Sequence, residues 1–330
     1  MESRVVQVLA SCALLLGCGH AWDLRSVGID QFRVRHVSLY HSRAFVTIES
    51  ANVSLVETGW PENVNNQRSW VLSDELDRRW TCSCRGLRNV LGTDVDRLAR
   101  LWILSGPERH CRPKLTIRSL LSPTTGEIEH RFRRPESELR FHTIMVDPVP
   151  ASDGDTRAFL TLLDQDYLLI YSLFKRSMGK LQFERTDLTP LHPISLSELT
   201  INHNRLYVAD TVSDRLFALP IRSLRQLAFP HDGVQKIVMQ ANVTYLGRLL
   251  GRPRALTLDF HDQLLYILPR DGAIVKWTPG RSLKAENHRV IYQQSTNLTQ
   301  IILGVAGNAW AVSAEYVSNE TRRHCVKITV

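Results

Sequence analysis

The sequence predicts an all-β fold, a six-bladed β-propeller, on three observations. A short phrase recurs six times, in which a small or branched residue is followed by an aromatic one: Arg43-Ala44-Phe45, Arg100-Leu101-Trp102, Arg157-Ala158-Phe159, Arg205-Leu206-Tyr207, Leu264-Leu265-Tyr266 and Asn308-Ala309-Trp310. The aromatic residues stand 57, 57, 48, 59 and 44 positions apart, and repeats of that length belong to propellers and solenoids. Each phrase is preceded by an apolar strand and a brief turn, and followed by a polar loop and another strand, so the content per repeat is about four short strands. Aromatics at equivalent places would fill the wedges between neighbouring blades.

Taken in order, the strand after each aromatic one is expected at Val53 to Val56, Leu115 to Leu121, Tyr167 to Leu173, Leu216 to Ile221, Ala273 to Trp277 and Cys325 to Val330. These runs are rich in Val, Ile, Leu, Thr and aromatics and are bounded by turn residues. A fourth strand is expected at Trp70 to Ser73, Ile128 to Phe132, Leu181 to Phe183, Gln235 to Met239 and Arg289 to Tyr292. Asp96, Asp147 and Asp259 end apolar strands and are expected to cap the turns that follow. No Pro/Gly/Ser linker or low-complexity tract interrupts the repeats, so residues 22–330 read as one domain.

Residues 1–21 read as a secretory leader. Arg4 supplies a charge, Val5 to Gly17 is an apolar run too short to cross a bilayer, and Gly19 and Ala21 suit a peptidase. The chain is therefore expected to be secreted and extracellular, with no membrane span. Four sequons, at Asn52, Asn242, Asn297 and Asn319, fit export and predict water-facing loops. Beyond the leader stand Cys82, Cys84, Cys111 and Cys325, which in an oxidising compartment form disulfides. Three pairings are open. One joins Cys84 to Cys111 and leaves Cys82 for Cys325. The net charge of +8 predicts adhesion to acidic polymers such as anionic glycans or matrix. Nucleic acid is not expected as a partner, since Arg131-Phe132-Arg133-Arg134 is a single short cluster on an exported chain.

Several motifs resemble the yellow/major royal jelly protein family of insects. Leu101-Trp102-Ile103-Leu104-Ser105-Gly106 followed by Cys111-Arg112-Pro113-Lys114-Leu115 resembles that family's "RLWVLDSG" and "CPPKL" phrases. Leu169-Ile170-Tyr171-Ser172, Ile194-Ser195-Leu196-Ser197, Leu206-Tyr207 with Leu224-Arg225, Ala273-Ile274-Val275-Lys276-Trp277 and Asn308-Ala309-Trp310-Ala311-Val312-Ser313 match further family phrases in order. The resemblance implies a secreted propeller. It further implies roles in cuticle, eggshell or pigmentation, nutrition, binding of biogenic amines, or conversion of dopachrome in melanin synthesis. The chain departs from the family at Leu98 and Ala99, where Cys and Gly are usual. It also lacks the Asp before Ser105-Gly106 and places Thr161-Leu162 where an acidic "SD" is usual, leaving Asp164 as a shifted substitute.

Loops after the second strand and before the first share one face around the axial opening, where several blades converge. Candidates there are Arg35, His36, Arg88, Asn89, Arg109, His110, His142, Asp164, Asp166, Glu198, Asp210, Arg252, Arg254, Asp271 and Glu315. Converging carboxylates would hold an amine, and histidines would relay protons in a quinone tautomerisation. Asp164, Asp166, Asp210, Asn89 and Asp271 are the expected ligand contacts, for a small aromatic amine or quinone. Asp164 and His142 are the candidates should there be catalysis. Zinc-protease, nucleophile-elbow, phosphate-loop and dinucleotide motifs do not occur, and no metal or cofactor is expected. A non-enzymatic protein of the extracellular matrix, or a small-ligand carrier, is the leading expectation. Dopachrome tautomerase and amine binder are the alternatives.

Overall fold

A computed structural model describes residues 19–20, 22, 24–50, 53–60, 69–72, 84, 86–108, 111–122, 126–184, 195–229, 237–293, 297–304, 307–313 and 325–328. The fold is an all-β propeller whose strands form six sheets. Strand β1 (Gly19–His20) belongs to the last of them. The first sheet is β2 (Arg33–Tyr40), β3 (Arg43–Glu49), β4 (Leu55–Gly59) and β5 (Trp70–Val71). The second is β6 (Val90–Val95), β7 (Arg100–Ser105), β8 (Lys114–Ser119) and β9 (Ile128–Arg131). The third begins with β10 (Phe141–Val146), β11 (Arg157–Leu162), β12 (Tyr167–Ser172) and β13 (Ser177–Glu184), and the fourth with β14 (Leu196–Ile201), β15 (Arg205–Asp210) and β16 (Arg215–Pro220).

After β16 the chain makes an excursion. Helix α1 (Ile221–Arg225) leads away, and β17 (Ile237–Asn242) pairs parallel to β13 as a fifth strand of the third sheet. Strand β18 (Thr244–Arg248) then returns to pair with β16. The strand expected around Gln235 to Met239 thus belongs to the preceding sheet, and β18 fills its place. Two arginines fasten the excursion, Arg157 buried and Arg225 partly so. Arg157 donates to the carbonyls of Leu224 and Leu227, and Arg225 makes a two-pronged ion pair with Asp147, at 2.6 and 2.8 Å.

The fifth sheet is β19 (Arg254–Leu258), β20 (Leu264–Leu268), β21 (Ala273–Trp277) and β22 (His288–Gln293). The sixth is β23 (Leu298–Leu303), β24 (Ala309–Ser313) and β25 (Cys325–Ile328), with β1 on its outer edge, Gly19 opposite Val326 and His20 opposite Cys325. These two residues lie inside the stretch expected to be removed as a leader. Trp22 and Leu24, directly after it, are buried against the first sheet. The rest of the leader, Asn52, Asn319, Cys82, Arg109, His110 and Glu315 lie outside the described residues, and so does any pairing of Cys82 with Cys325. Cys84 and Cys111 are joined by a disulfide.

The first strands of the sheets, β2, β6, β10, β14, β19 and β23, touch one another in sequence, and β23 touches β2, so the ring closes with these strands innermost. The wedges between sheets are filled as the sequence predicts at five of six positions. Phe45, Trp102, Phe159, Tyr207 and Trp310 are buried, each packed against the next sheet around the ring. Tyr266 is the exception: it packs back against the fourth sheet, while Leu265 faces the sixth.

Turn hydrogen bonds explain the difference. Asp96 N–H bonds to Arg100 O, Asn202 to Arg205, Asp259 to Gln263 and Gly304 to Asn308, which aligns Leu265 with the other wedge aromatics. A slip of one residue sends a side chain to the other face of a strand. The expected caps are in place. The Asp96 carboxylate accepts the N–H groups of Leu98 and Arg100 and the indole N–H of Trp102; Asp147 accepts that of Val149, and Asp259 those of His261 and Gln263.

Candidate axial site

Every innermost strand carries an irregularity at the same height. Pairing with the second strand shifts between Val34 and His36, Val90 and Gly92, Phe141 and Ile144, Leu196 and Glu198, Arg254 and Leu256, and Leu298 and Gln300. A bulge of this kind disrupts the ladder and re-aims a side chain, and such bulges gather beside functional sites. Here six of them surround one axis. The second sheet contributes only Gly92. A Cβ built there would stand 3.2 Å from Thr143 Oγ1, so β6 and β10 approach too closely for a larger residue.

Two polar pairs result. His142 Nε2 stands 3.3 Å from Glu198 Oε1, joining the third and fourth sheets. Burial acts to lower the His142 pKa, but the hydrogen bond and charge of Glu198 outweigh it, and the net displacement is upward. The His142 side chain keeps 37% of its surface open to solvent. Across the ring Gln300 ties the sixth sheet to the first. Its Oε1 accepts Val37 N–H at 2.7 Å, and its Nε2 donates to Val37 O at 2.9 Å and stands 3.1 Å from His36 Nε2.

His36 is therefore held neutral. Burial, aided by the His142 charge, pushes its pKa down to about 4. With Nε2 accepting from Gln300, the ring proton sits on Nδ1, a buried atom without a partner among the described residues. Arg254, at the bulge of the fifth sheet, contributes positive potential to His142 and reaches the Asn297 amide oxygen at 3.5 Å.

The loop residues expected to hold a ligand have separate partners. Asp164 is exposed, sits at φ +61°, pairs with Arg140 at 2.6 Å and gives its N–H to Ser195 Oγ. Asp210, expected at the mouth, is wholly buried. Its carboxylate accepts the N–H groups of Ser195 and Val212, the Ser213 hydroxyl and the Arg215 guanidinium, which spends it on its own turn. Asn89 accepts from Arg35 and donates to Pro107 O. Asp166 and Asp271 are exposed. Leu162 lies in the wedge between the second and third sheets.

Sequence reasoning named His36, His142, Glu198 and Arg254 but not their convergence, and it missed Gln300 and Gly92. A polar Gln300 within Leu298-Thr299-Gln300-Ile301-Ile302-Leu303 was the available signal. No cluster of metal-ligand type occurs among the described residues. No helix among them is long and apolar enough to cross a membrane.

A family model described as major royal jelly protein matches residues 89–317. No curated protein matches the chain. Solved structures similar in fold include a virginiamycin B lyase from Staphylococcus aureus with quinupristin, at 10% identity and TM-score 0.54, covering 91% of this chain and 85% of that one. A streptogramin B lyase is similar at 11% identity and TM-score 0.55, with coverage of 92% and 85%. A luciferin-regenerating enzyme is similar at 10% identity and TM-score 0.54, with coverage of 90% and 91%. At such identity the likeness concerns the fold alone.

Proposed function

The chain belongs to the major royal jelly protein family, and on that premise we propose a secreted propeller of six blades that acts outside the cell, in a matrix such as cuticle or eggshell, and holds a small ligand at its axis without transforming it. The observation that carries this reading is a set of two polar pairs at the bulges of four innermost strands, His142 with Glu198 and Gln300 with His36, the two histidines near enough for the charge of one to act on the other. A carrier without catalysis is favoured by the way His36 is bound. Its Nε2 lone pair is already used by Gln300 and its Nδ1 is buried, so the ring offers a ligand no base. The exposed Asn242 and Asn297 suit glycan attachment, and a net charge of +8 suits anionic matrix polymers.

One observation favours a second reading, conversion of dopachrome by tautomerisation. Two axial histidines have their pKa values displaced in opposite directions, which is how an acid and a base are set apart. Calorimetry of the purified, glycosylated protein against dopamine, serotonin and aromatic acids tests the carrier. Absence of heat with all of them would sink it. Dopachrome decay measured with the parent protein and with His142→Gln tests the enzyme, and turnover that disappears in the variant would replace the first reading by the second.

A further inference from the structure

The first strand of each sheet begins at the bulges and finishes at the opposite end of the propeller, and the third strand, which runs parallel to it, finishes there too. The four most exposed large apolar side chains among the described residues all stand on turns of that opposite end: Phe174 at 73%, Leu121 at 72%, Phe260 at 62% and Leu98 at 55%. Hydrogen bonds tie three of these turns together. Leu120 N–H bonds to Ala99 O, which joins the turns of Leu121 and Leu98. Arg100 donates to Thr156 Oγ1 and Leu173 N–H to Thr156 O, which brings the turn of Phe174 to the same place. The charge of this end is one-sided. Arg97 adjoins Leu98 and Arg176 follows Phe174 by two positions, both exposed and neither in an ion pair with a described carboxylate. Arg222, Arg281 and Lys284, on the segments after the third strands of the fourth and fifth sheets, are also exposed and without such a partner. The exposed acids of these turns are engaged, Glu127 with Arg118, Asp153 with Arg157 and Asp262 with the Asn202 amide, which leaves Glu286 among the described residues.

We propose that this end of the propeller docks on the surface of an anionic lipid bilayer, with Leu98, Leu121, Phe174 and Phe260 entering the interface and Arg97 and Arg176 meeting headgroup charge. Apolar tips beside uncompensated cations match a surface that is apolar within and negative outside. The tips stand on the turns of three different sheets, which suits a deformable layer that each enters separately. A second copy of the chain is a poor occupant, since it would bring like charges together. The face lies away from the axial bulges, so the inference stands or falls independently of the carrier reading.

Cosedimentation of the full secreted chain with vesicles tests it. Phosphatidylcholine vesicles containing about 30% phosphatidylserine should retain the protein about tenfold better than phosphatidylcholine alone, and salt should weaken that retention. The double variant Leu121→Ser with Phe174→Ser should weaken it by about tenfold or more, because the buried apolar area is lost. Arg97→Gln with Arg176→Gln should also weaken it by about tenfold. All four side chains are exposed, so the fold tolerates their replacement. Leu250→Ser, an exposed leucine at the bulge end, should leave retention unchanged. Binding that falls with the arginine pair but ignores the apolar pair would overturn insertion, and so would equal retention on neutral and anionic vesicles. No retention on anionic vesicles would overturn the lipid face, whether or not an immobilised sulfated polysaccharide binds the protein instead.

Discussion

Asp94 gives a quantitative test of how the sheets are joined. It stands on β6 opposite Trp102, and its carboxylate reaches across to the third sheet, where Oδ2 accepts Val146 N–H at 2.6 Å while Oδ1 accepts Val95 N–H. Burial raises its pKa from 3.8 to about 6. The two backbone hydrogen bonds oppose the rise, and the nearby Asp96 charge adds to it. The sign follows from proton binding: between these two values the folded chain holds a proton that the unfolded chain has released, so stability increases as pH falls through this window. Above about pH 6 the ionised carboxyl costs the folded state up to about 3 kcal/mol, at roughly 1.4 kcal/mol per pH unit of displacement. Asp94→Asn removes this dependence. In urea unfolding at about pH 7.5 and about pH 4, the stability of the variant relative to the parent should fall by about 2.5 kcal/mol between the higher and the lower pH. Parallel stability curves, differing by a constant within about 0.5 kcal/mol, would refute the argument.

Other substitutions probe other joints. Phe45→Ala should cost about 3–5 kcal/mol in chemical denaturation, since a wholly buried wedge residue leaves a cavity between the first and second sheets. Tyr266→Phe should cost only about 1 kcal/mol, because it keeps the packing and loses the hydrogen bonds to Leu250 N–H and His288. Arg157→Met should cost about 3–5 kcal/mol and free the excursion to limited proteolysis, because it leaves buried Asp155 without its cation and the Leu224 and Leu227 carbonyls without a donor. Glu198→Gln should destabilise the protein more at pH 5.5 than at pH 8.5, because a histidine with a raised pKa contributes stability at low pH that is lost as pH rises through the folded value. Histidine NMR titration of the same variant should show the His142 midpoint moving down.

The repeat phrase was legible because it depends on local alternation, and five wedge aromatics fall where that alternation puts them. Tyr266 was not, since Leu264-Leu265-Tyr266 fits two phasings one residue apart, and the turn hydrogen bond from Asp259 to Gln263 decides between them. Strand character at β17 was visible too. Its partner was not, because β propensity carries no information about which sheet receives a strand, and that depends on the anchors Arg157 and Arg225. The caps at Asp96, Asp147 and Asp259 needed only neighbouring backbone and could be read directly.

The axial site was harder. His36, His142, Glu198 and Arg254 were each visible as polar residues near strand ends, yet the acidic loop residues drew the emphasis. What brings the axial residues together is six bulges, and a bulge leaves no composition signal in one strand alone. Asp210 shows the converse. It is a loop acid in sequence, and the fold consumes it in a turn with Arg215.

The most direct measurement is a crystal structure of the protein soaked separately with serotonin and with indole-2-carboxylate. The proposed carrier requires the bound molecule at the axis, against the pair of His142 and Glu198. The same molecule found only among the outer loops, beside Asp164 and Asp166, would contradict it.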